Sequence, residues 1–222
     1  MTPTRPLAIA FDVVGTLFSL RAVRARLAGQ GGDGATFDLW FARLLRDAFA
    51  LTAAGSYRPF RDVAGSSLRA VLPSGTDELV DHVLAGFGEL EPEPDAEPAM
   101  RLAVEDGVRV LTLTNGGADT TAALLARAGL DRLVEHQVSV EAVSTFKPAA
   151  APYRHAASLA GVEPDRLALV AAHAWDVHGA RQAGLVTGWV ARAEGSFPPA
   201  FDRPDVIAPD LAAVTRALID LG

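Results

Sequence analysis

The chain has 222 residues, 50% of them hydrophobic and 21% charged, with a formal net charge of −7 and no cysteine. This balance belongs to a folded globular protein able to bury a full core, either as one large domain or as a core with a smaller insertion. An acidic charge with no basic stripe excludes a general nucleic-acid binder, and the absence of cysteine excludes a disulfide framework, a zinc–thiolate site and a cysteine nucleophile.

The run Leu7-Ala8-Ile9-Ala10-Phe11 reads as a first strand rather than a signal peptide, because it breaks at Asp12 and lacks a cleavage pattern. No uninterrupted apolar stretch is long enough to span a bilayer, so a soluble protein without membrane association is expected, and a cysteine-free chain suits a cytoplasmic location. Helical periodicity follows over 19–29 and 35–54, broken by Gly31-Gly32-Asp33-Gly34. A third helix is predicted over 60–72, and Ser74-Gly75-Thr76-Asp77 signals the start of a fourth that runs to about Gly86. The acidic, proline-rich stretch 89–94 reads as a linker.

From there helices and strands alternate. Helices are predicted over 97–105, 119–128, 149–160, 176–183 and 210–221, and strands over 108–113, 137–140, 167–171 and 187–190. Gly107, Gly129, Gly161 and Gly184 stop four of the helices. This order predicts an α/β fold with a doubly wound parallel sheet, interrupted after its first strand by a helical insertion.

Four short segments fall at the carboxyl ends of predicted strands, where open α/β sheets bind ligands. The first is Asp12-Val13-Val14-Gly15-Thr16, in which a strand-tip carboxylate precedes a glycine turn, the placement a nucleophilic aspartate needs. The second is Thr114-Asn115-Gly116-Gly117, with hydroxyl, amide and turn N–H groups suited to an anion or oxyanion. The third is Phe146-Lys147-Pro148 and the fourth Ala171-Ala172-His173-Ala174-Trp175-Asp176. Lys147 is the chain's only lysine. It reads either as a point charge that keeps Asp12 ionised or as a solvated surface residue capping the next helix. His173 can position or deprotonate a water, or it can be a structural histidine bonding a carbonyl. Trp175 and Tyr153 each have a pocket reading and a core reading. Thr16, by its turn position, faces the site. His82, His136 and His155 offer no metal-ligand spacing, and His178 reads as packing or surface.

These four segments in this order resemble the haloacid dehalogenase superfamily, and Ala-His-Ala-Trp-Asp with Gly179-Ala180-Arg181, together with Lys147-Pro148 and Tyr153, resembles its L-2-haloacid dehalogenase (type II) branch. The resemblance covers essentially the whole chain. It implies a Rossmann-like core of residues 1–17 and 96–222 and a helical cap of residues 18–95. It further implies that Asp12 attacks a halogen-bearing carbon to form an ester that water hydrolyses, with Thr16 and Asp176 orienting nucleophile and water. Lys147 would hold Asp12 charged, and Thr114 and Asn115 would bind the substrate carboxylate or the departing group. The implied substrate is a small 2-haloalkanoic acid, with no metal and no other cofactor. A homodimer through cap or core helices is a further implication, on which the residues themselves are silent.

Within this resemblance, Val14 stands where the branch commonly has a tyrosine, and Ala171 and His173 where it has serine and asparagine. The branch's substrate-binding arginine maps to Phe41 when aligned on Trp40 and to Arg43 when counted from the nucleophile, two positions on opposite faces of a helix. With Phe41 as the counterpart, Arg46 or Arg58 becomes the candidate replacement. Superfamily phosphatases use magnesium and a second aspartate at the position of Val14, because phosphoryl transfer needs a cation and a proton donor. Halide leaves without a proton. Two other classes stay open: a same-fold hydrolase of another small substrate, including an atypical magnesium-dependent phosphatase, and a non-catalytic binding protein.

Overall fold

The structure, a computed structural model, describes residues 3–72, 75–192 and 194–222. Six strands form one parallel sheet: β1 (Ala8–Phe11), β2 (Arg109–Thr114), β3 (His136–Ser139), β4 (Leu167–Ala171), β5 (Val186–Val190) and β6 (Val206–Ala208). Their order is β3-β2-β1-β4-β5-β6. The chain builds one half outward from β1 and then crosses to build the other, so the switch point lies between β1 and β4. Ligand-binding crevices of such sheets open there, at the carboxyl ends of the strands.

Both faces of the sheet are covered, which is why its strands read as apolar runs rather than alternating ones. Ile9, Phe11, Val110, Ala168 and Val170 pack toward α5 (Ala96–Glu105), α6 (Ala118–Ala128) and α9 (Leu211–Ile219). Ala8, Ala10, Leu111, Leu113 and Leu169 pack toward α7 (Ala150–Leu159) and α8 (Ala174–Gln182). The glycine stop after α6 takes the form the sequence predicts: Gly129 is left-handed at φ 66° and its N–H bonds back to Ala126 O.

Between β1 and α5 come α1 (Arg21–Ala28), α2 (Gly34–Ala53), α3 (Phe60–Val71) and α4 (Asp77–Ala85), which pack on one another. Asp33 caps α2 by accepting from Thr36 N–H at 2.7 Å. Thr76 caps α4 by accepting from Leu79 N–H at 3.3 Å, while Ser74 of the predicted start signal lies outside the described residues. Trp40 on α2 is fully buried and donates to Ala64 O on α3 at 3.0 Å, locking these two helices together.

Two features differ from the sequence reading. The stretch 89–94 is not a free linker: Ser19 N–H bonds to Glu91 O at 2.9 Å and Glu93 N–H to Leu17 O at 2.8 Å, so the two crossings into the helical insertion run side by side. Strand β6 was not predicted, because three residues closely flanked by Pro204 and Pro209 give too short a run to register. Among the described residues no helix is long and apolar enough to cross a membrane.

Candidate active site

Asp12 follows the last residue of β1 and is held at the sheet edge by its N–H, which donates to Val170 O at 3.0 Å. The turn then folds back: Gly15 donates to Phe18 O at 2.8 Å and Phe18 to Val13 O at 2.9 Å. Gly15 has φ 84°, and a Cβ there would lie 2.9 Å from Cε1 of His173. Glycine is therefore required both by the backbone and by the imidazole packed over it.

Each carboxylate oxygen of Asp12 has defined partners. Oδ1 accepts from Lys147 Nζ at 2.9 Å. Oδ2 accepts from Thr16 Oγ1 at 2.7 Å and lies 3.2 Å from His173 Nδ1. Thr16 Oγ1 in turn accepts Ala172 N–H at 3.0 Å, which leaves its single proton for Asp12. Lys147 is fully buried, so the surface reading of this residue is overturned. Its other two protons go to Leu113 O at 2.9 Å and Asp176 Oδ2 at 2.6 Å. Asp176 Oδ1 accepts from Tyr153 Oη at 2.6 Å.

Tyr153 is thus a buried support behind Asp176 rather than a hydroxyl aimed at the pocket. Asp176, wholly buried with both oxygens engaged, reaches Asp12 only through Lys147. On the other side, Asn115 Oδ1 accepts Lys147 N–H at 2.9 Å, and Thr114 Oγ1 accepts Gly116 N–H at 2.9 Å. Ser139, which the sequence reading missed, donates to Gly116 O at 2.8 Å and steadies that turn from β3.

Burial alone would raise the Asp12 carboxyl, but the Lys147 ammonium and the His173 bond outweigh it and hold it well below the usual carboxylate range. Asp176 is raised, by burial and by the like charge of Asp12, despite Lys147. Burial would lower both Lys147 and His173, yet facing carboxylates raise both. The Tyr153 hydroxyl is raised well above its ordinary value by burial and by Asp176, and stays a donor. Two carboxyls whose affinities for a proton are pushed apart in this way are suited to different tasks.

Asp12 opens on a cavity of about 20 Å3, walled from the sheet edge by Val14, Thr114, Asn115, Gly116, His173 and Trp175. Phe41 and Leu45 of α2 and Phe60 of α3 close it from above. The sequence reading missed Leu45 and Phe60; Leu45 carried a signal, being four residues from Phe41 on the same helix face. The Trp175 ring stacks near His173 with centroids 5.6 Å apart, and its Nε1 is buried with no hydrogen-bond partner among the described residues.

The candidate arginines are not brought to this cavity. Arg43 donates to Ala70 O at 3.1 Å, Arg46 pairs with Asp47 at 2.8 Å, and Arg58 lines a separate cleft with Asp62. The position facing Asp12 is Phe41, whose ring centroid lies 6.5 Å from that of His173. His178 stacks on Phe201, away from the site.

The donor set does not fit a magnesium ion. The oxygens of Asp12 and Asp176 are engaged by Lys147, Thr16, His173 and Tyr153, and apolar Val14 and Ala172 stand where further carboxylates would be needed. Among the described residues no group of three or more His, Asp or Glu side chains is arranged to hold a metal ion.

Comparison with known proteins bears on this geometry. Residues 6–184 match the family model of haloacid dehalogenase-like hydrolases. The chain is 26% identical over 219 residues to haloacetate dehalogenase H-2 of Moraxella sp. (strain B), covering 95% of this chain and 97% of that one. It is 30% identical over 191 residues to an (S)-2-haloacid dehalogenase of Xanthobacter autotrophicus, covering 83% and 75%. The solved L-2-haloacid dehalogenase of Xanthobacter autotrophicus shares the fold, with a TM-score of 0.87 and 24% identity over 98% of this chain and 100% of that one.

Proposed function

Because the chain belongs to the haloacid dehalogenase-like hydrolases, we propose that it hydrolyses the carbon–halogen bond of small 2-haloalkanoic acids through an ester on Asp12. The observation that carries this reading is the unequal loading of the Asp12 carboxylate. Oδ2 takes two hydrogen bonds and Oδ1 one, so Oδ1 keeps a lone pair for attack while Lys147 keeps the group ionised. Residues 1–17 and 96–222 act as the core in this account, and residues 18–95 as a cap that supplies Phe41, Leu45 and Phe60.

In the first step the Asp12 Oδ1–C2 bond forms as the C2–halogen bond breaks, and the halide leaves with the bonding pair. No proton is required, which is consistent with valine at 14. In the second step water adds to Cγ of the ester, negative charge develops on Oδ2, and the Cγ–Oδ1 bond breaks; the second proton of that water, carried on the new Cγ hydroxyl, passes to the leaving oxygen, giving a 2-hydroxy acid and the Asp12 carboxylate. Thr16 already donates to Oδ2 and is placed to stabilise that charge; His173 Nδ1, 3.2 Å from Oδ2, joins it once it has taken a proton. The displacement at C2 happens once, so the configuration at that carbon inverts.

His173 follows the charge of Asp12. Beside the carboxylate its affinity for a proton is raised, and its imidazolium is the cation the cavity wall can offer, since the three protons of Lys147 are all committed. Esterification removes the Asp12 charge, so burial and Lys147 then favour the neutral imidazole, which accepts the proton of the attacking water. The proton lost from His173 on esterification accounts for the one proton released per turnover. The amide of Asn115, the Trp175 N–H and the Thr114 turn form the remaining polar wall for the substrate carboxylate and the departing halide. Lys147, Asp176 and Tyr153 act behind the nucleophile as positioning residues.

The test is halide release from bromoacetate and from each enantiomer of 2-chloropropionate with EDTA present. Release from the S enantiomer supports the reading; phosphate release from a phosphoester that needs magnesium, with no halide release, contradicts it. A homodimer and a cytoplasmic location complete the reading, and they rest on the family resemblance and the cysteine-free composition.

A further inference from the structure

The cavity beside Asp12 is small, at about 20 Å3. A C2 substituent longer than a methyl group has to extend beyond it. Across its wall lies a larger cleft of about 380 Å3, between α3 and α4 on one side and α6 on the other. Val14, Phe60 and Gly116 line both spaces.

We propose that this cleft binds the C2 substituent of the substrate, so that the enzyme takes 2-halo acids carrying an extended apolar chain. The inference rests on the dehalogenase reading and adds to it the class of side chain accepted. Leu84, Phe87 and Leu124 give the cleft apolar walls for an alkyl group. Its acidic groups, Asp119 and Glu141, disfavour a carboxylate there. Glu141 is committed to Ala118 N–H at 2.9 Å, and the cleft's Arg61 to Asp81 at 2.7 Å. The substrate therefore orients by charge: its carboxylate and halogen lie toward Asn115, His173 and Trp175, and its chain runs out the opposite way.

Two small residues stand in the wall between the two spaces. A Cβ on Gly116 would sit 3.9 Å from Val14 Cγ2, in van der Waals contact with it. Residue 116 thus adds no side chain to the shared wall, and residue 14 only a short one.

The experiment is halide release across (S)-2-bromopropionate, 2-bromobutanoate, 2-bromohexanoate and 2-bromooctanoate. Each methylene that enters the cleft should raise kcat/KM about fourfold, the equivalent of ~0.8 kcal/mol per buried CH2, until the cleft is filled. Ala85→Trp, at the exposed end of α4, and Thr120→Trp, at the exposed start of α6, place bulk in the cleft without touching the core. Either should cut the ratio of kcat/KM for the hexanoate over the propionate at least tenfold. Halide release from bromopropionate with no rise along the series, or a ratio unchanged in both variants, overturns the cleft assignment and leaves the dehalogenase reading standing. No halide from any acid, with folded protein, overturns that reading and the assignment with it.

Discussion

Lys147 Nζ lies 2.9 Å from Asp12 Oδ1, with the lysine fully buried and the aspartate 4% exposed. The ammonium has three protons and three acceptors, Asp12, Asp176 and Leu113 O, arranged around one point. A planar guanidinium cannot reproduce that arrangement, which accounts for a lysine here in a chain whose other strong bases are all arginine. Lys147→Met should lower the rate of halide release by about 10²–10³-fold or more, because Asp12 loses its counter-charge. It should also destabilise the fold by about 3–5 kcal/mol, since two buried carboxylates are left without their cation. Lys147→Arg should not restore the rate. Steady-state kinetics and urea denaturation of both variants check this, and a wild-type rate in the methionine variant contradicts it.

His173 gives the pH dependence its sign. Asp12 and Asp176 face it and raise its affinity for a proton, against burial and Lys147. In free enzyme the imidazolium therefore persists above the ordinary histidine value of about 6.5 and is lost as pH rises through the raised one. The stability it contributes is present below that ordinary value and lost over the same rise. For Asp12 the sign reverses: its contribution is present above the ordinary carboxylate range and is lost as pH falls toward its depressed value. Since kcat/KM reports the free enzyme, it should fall on the alkaline side as the imidazolium discharges. His173→Gln should bind substrate more weakly and lose that alkaline limb, whereas an identical limb in the variant would remove His173 from anion binding.

Trp175 offers a buried N–H with no partner at the cavity wall. Such a donor costs free energy unless an acceptor arrives, and both substrate groups near it are anionic. Trp175→Phe keeps a ring against His173 and removes the donor. Product inhibition by chloride or bromide should weaken by about tenfold or more, as expected for loss of a hydrogen bond to a charged group. An unchanged inhibition constant would assign the ring a packing role alone.

Much of the frame was legible from residues alone. Glycine stops and apolar runs gave the order of strands and helices, and strand-tip logic gathered Asp12, Thr16, Asn115, Lys147 and His173 at one edge. What local pattern cannot encode is how the inserted helices lie on that edge. Phe41 rather than Arg43 faces Asp12 because α2 turns that face down, with Trp40 locked to α3 beside it, and Phe60 arrives from another helix altogether. Tyr153 stands out in the sequence, but its hydroxyl turns to Asp176 because α7 packs against α8 beneath the sheet edge. The pairing of residues 17–19 with 91–93 is likewise a tertiary contact inside a stretch whose composition reads as loop.

The central claim is that Asp12 forms the ester, and a single turnover in H2(18)O with enzyme in excess over (S)-2-chloropropionate tests it most directly. If Asp12 attacks, the first product molecule carries an oxygen from the enzyme and is unlabelled, and the label appears in the peptide containing Asp12. Asp12→Asn should release no halide under the same conditions while remaining folded. A labelled hydroxy acid in the first turnover, with an unlabelled Asp12, would mean that water attacks C2 directly and would contradict the account.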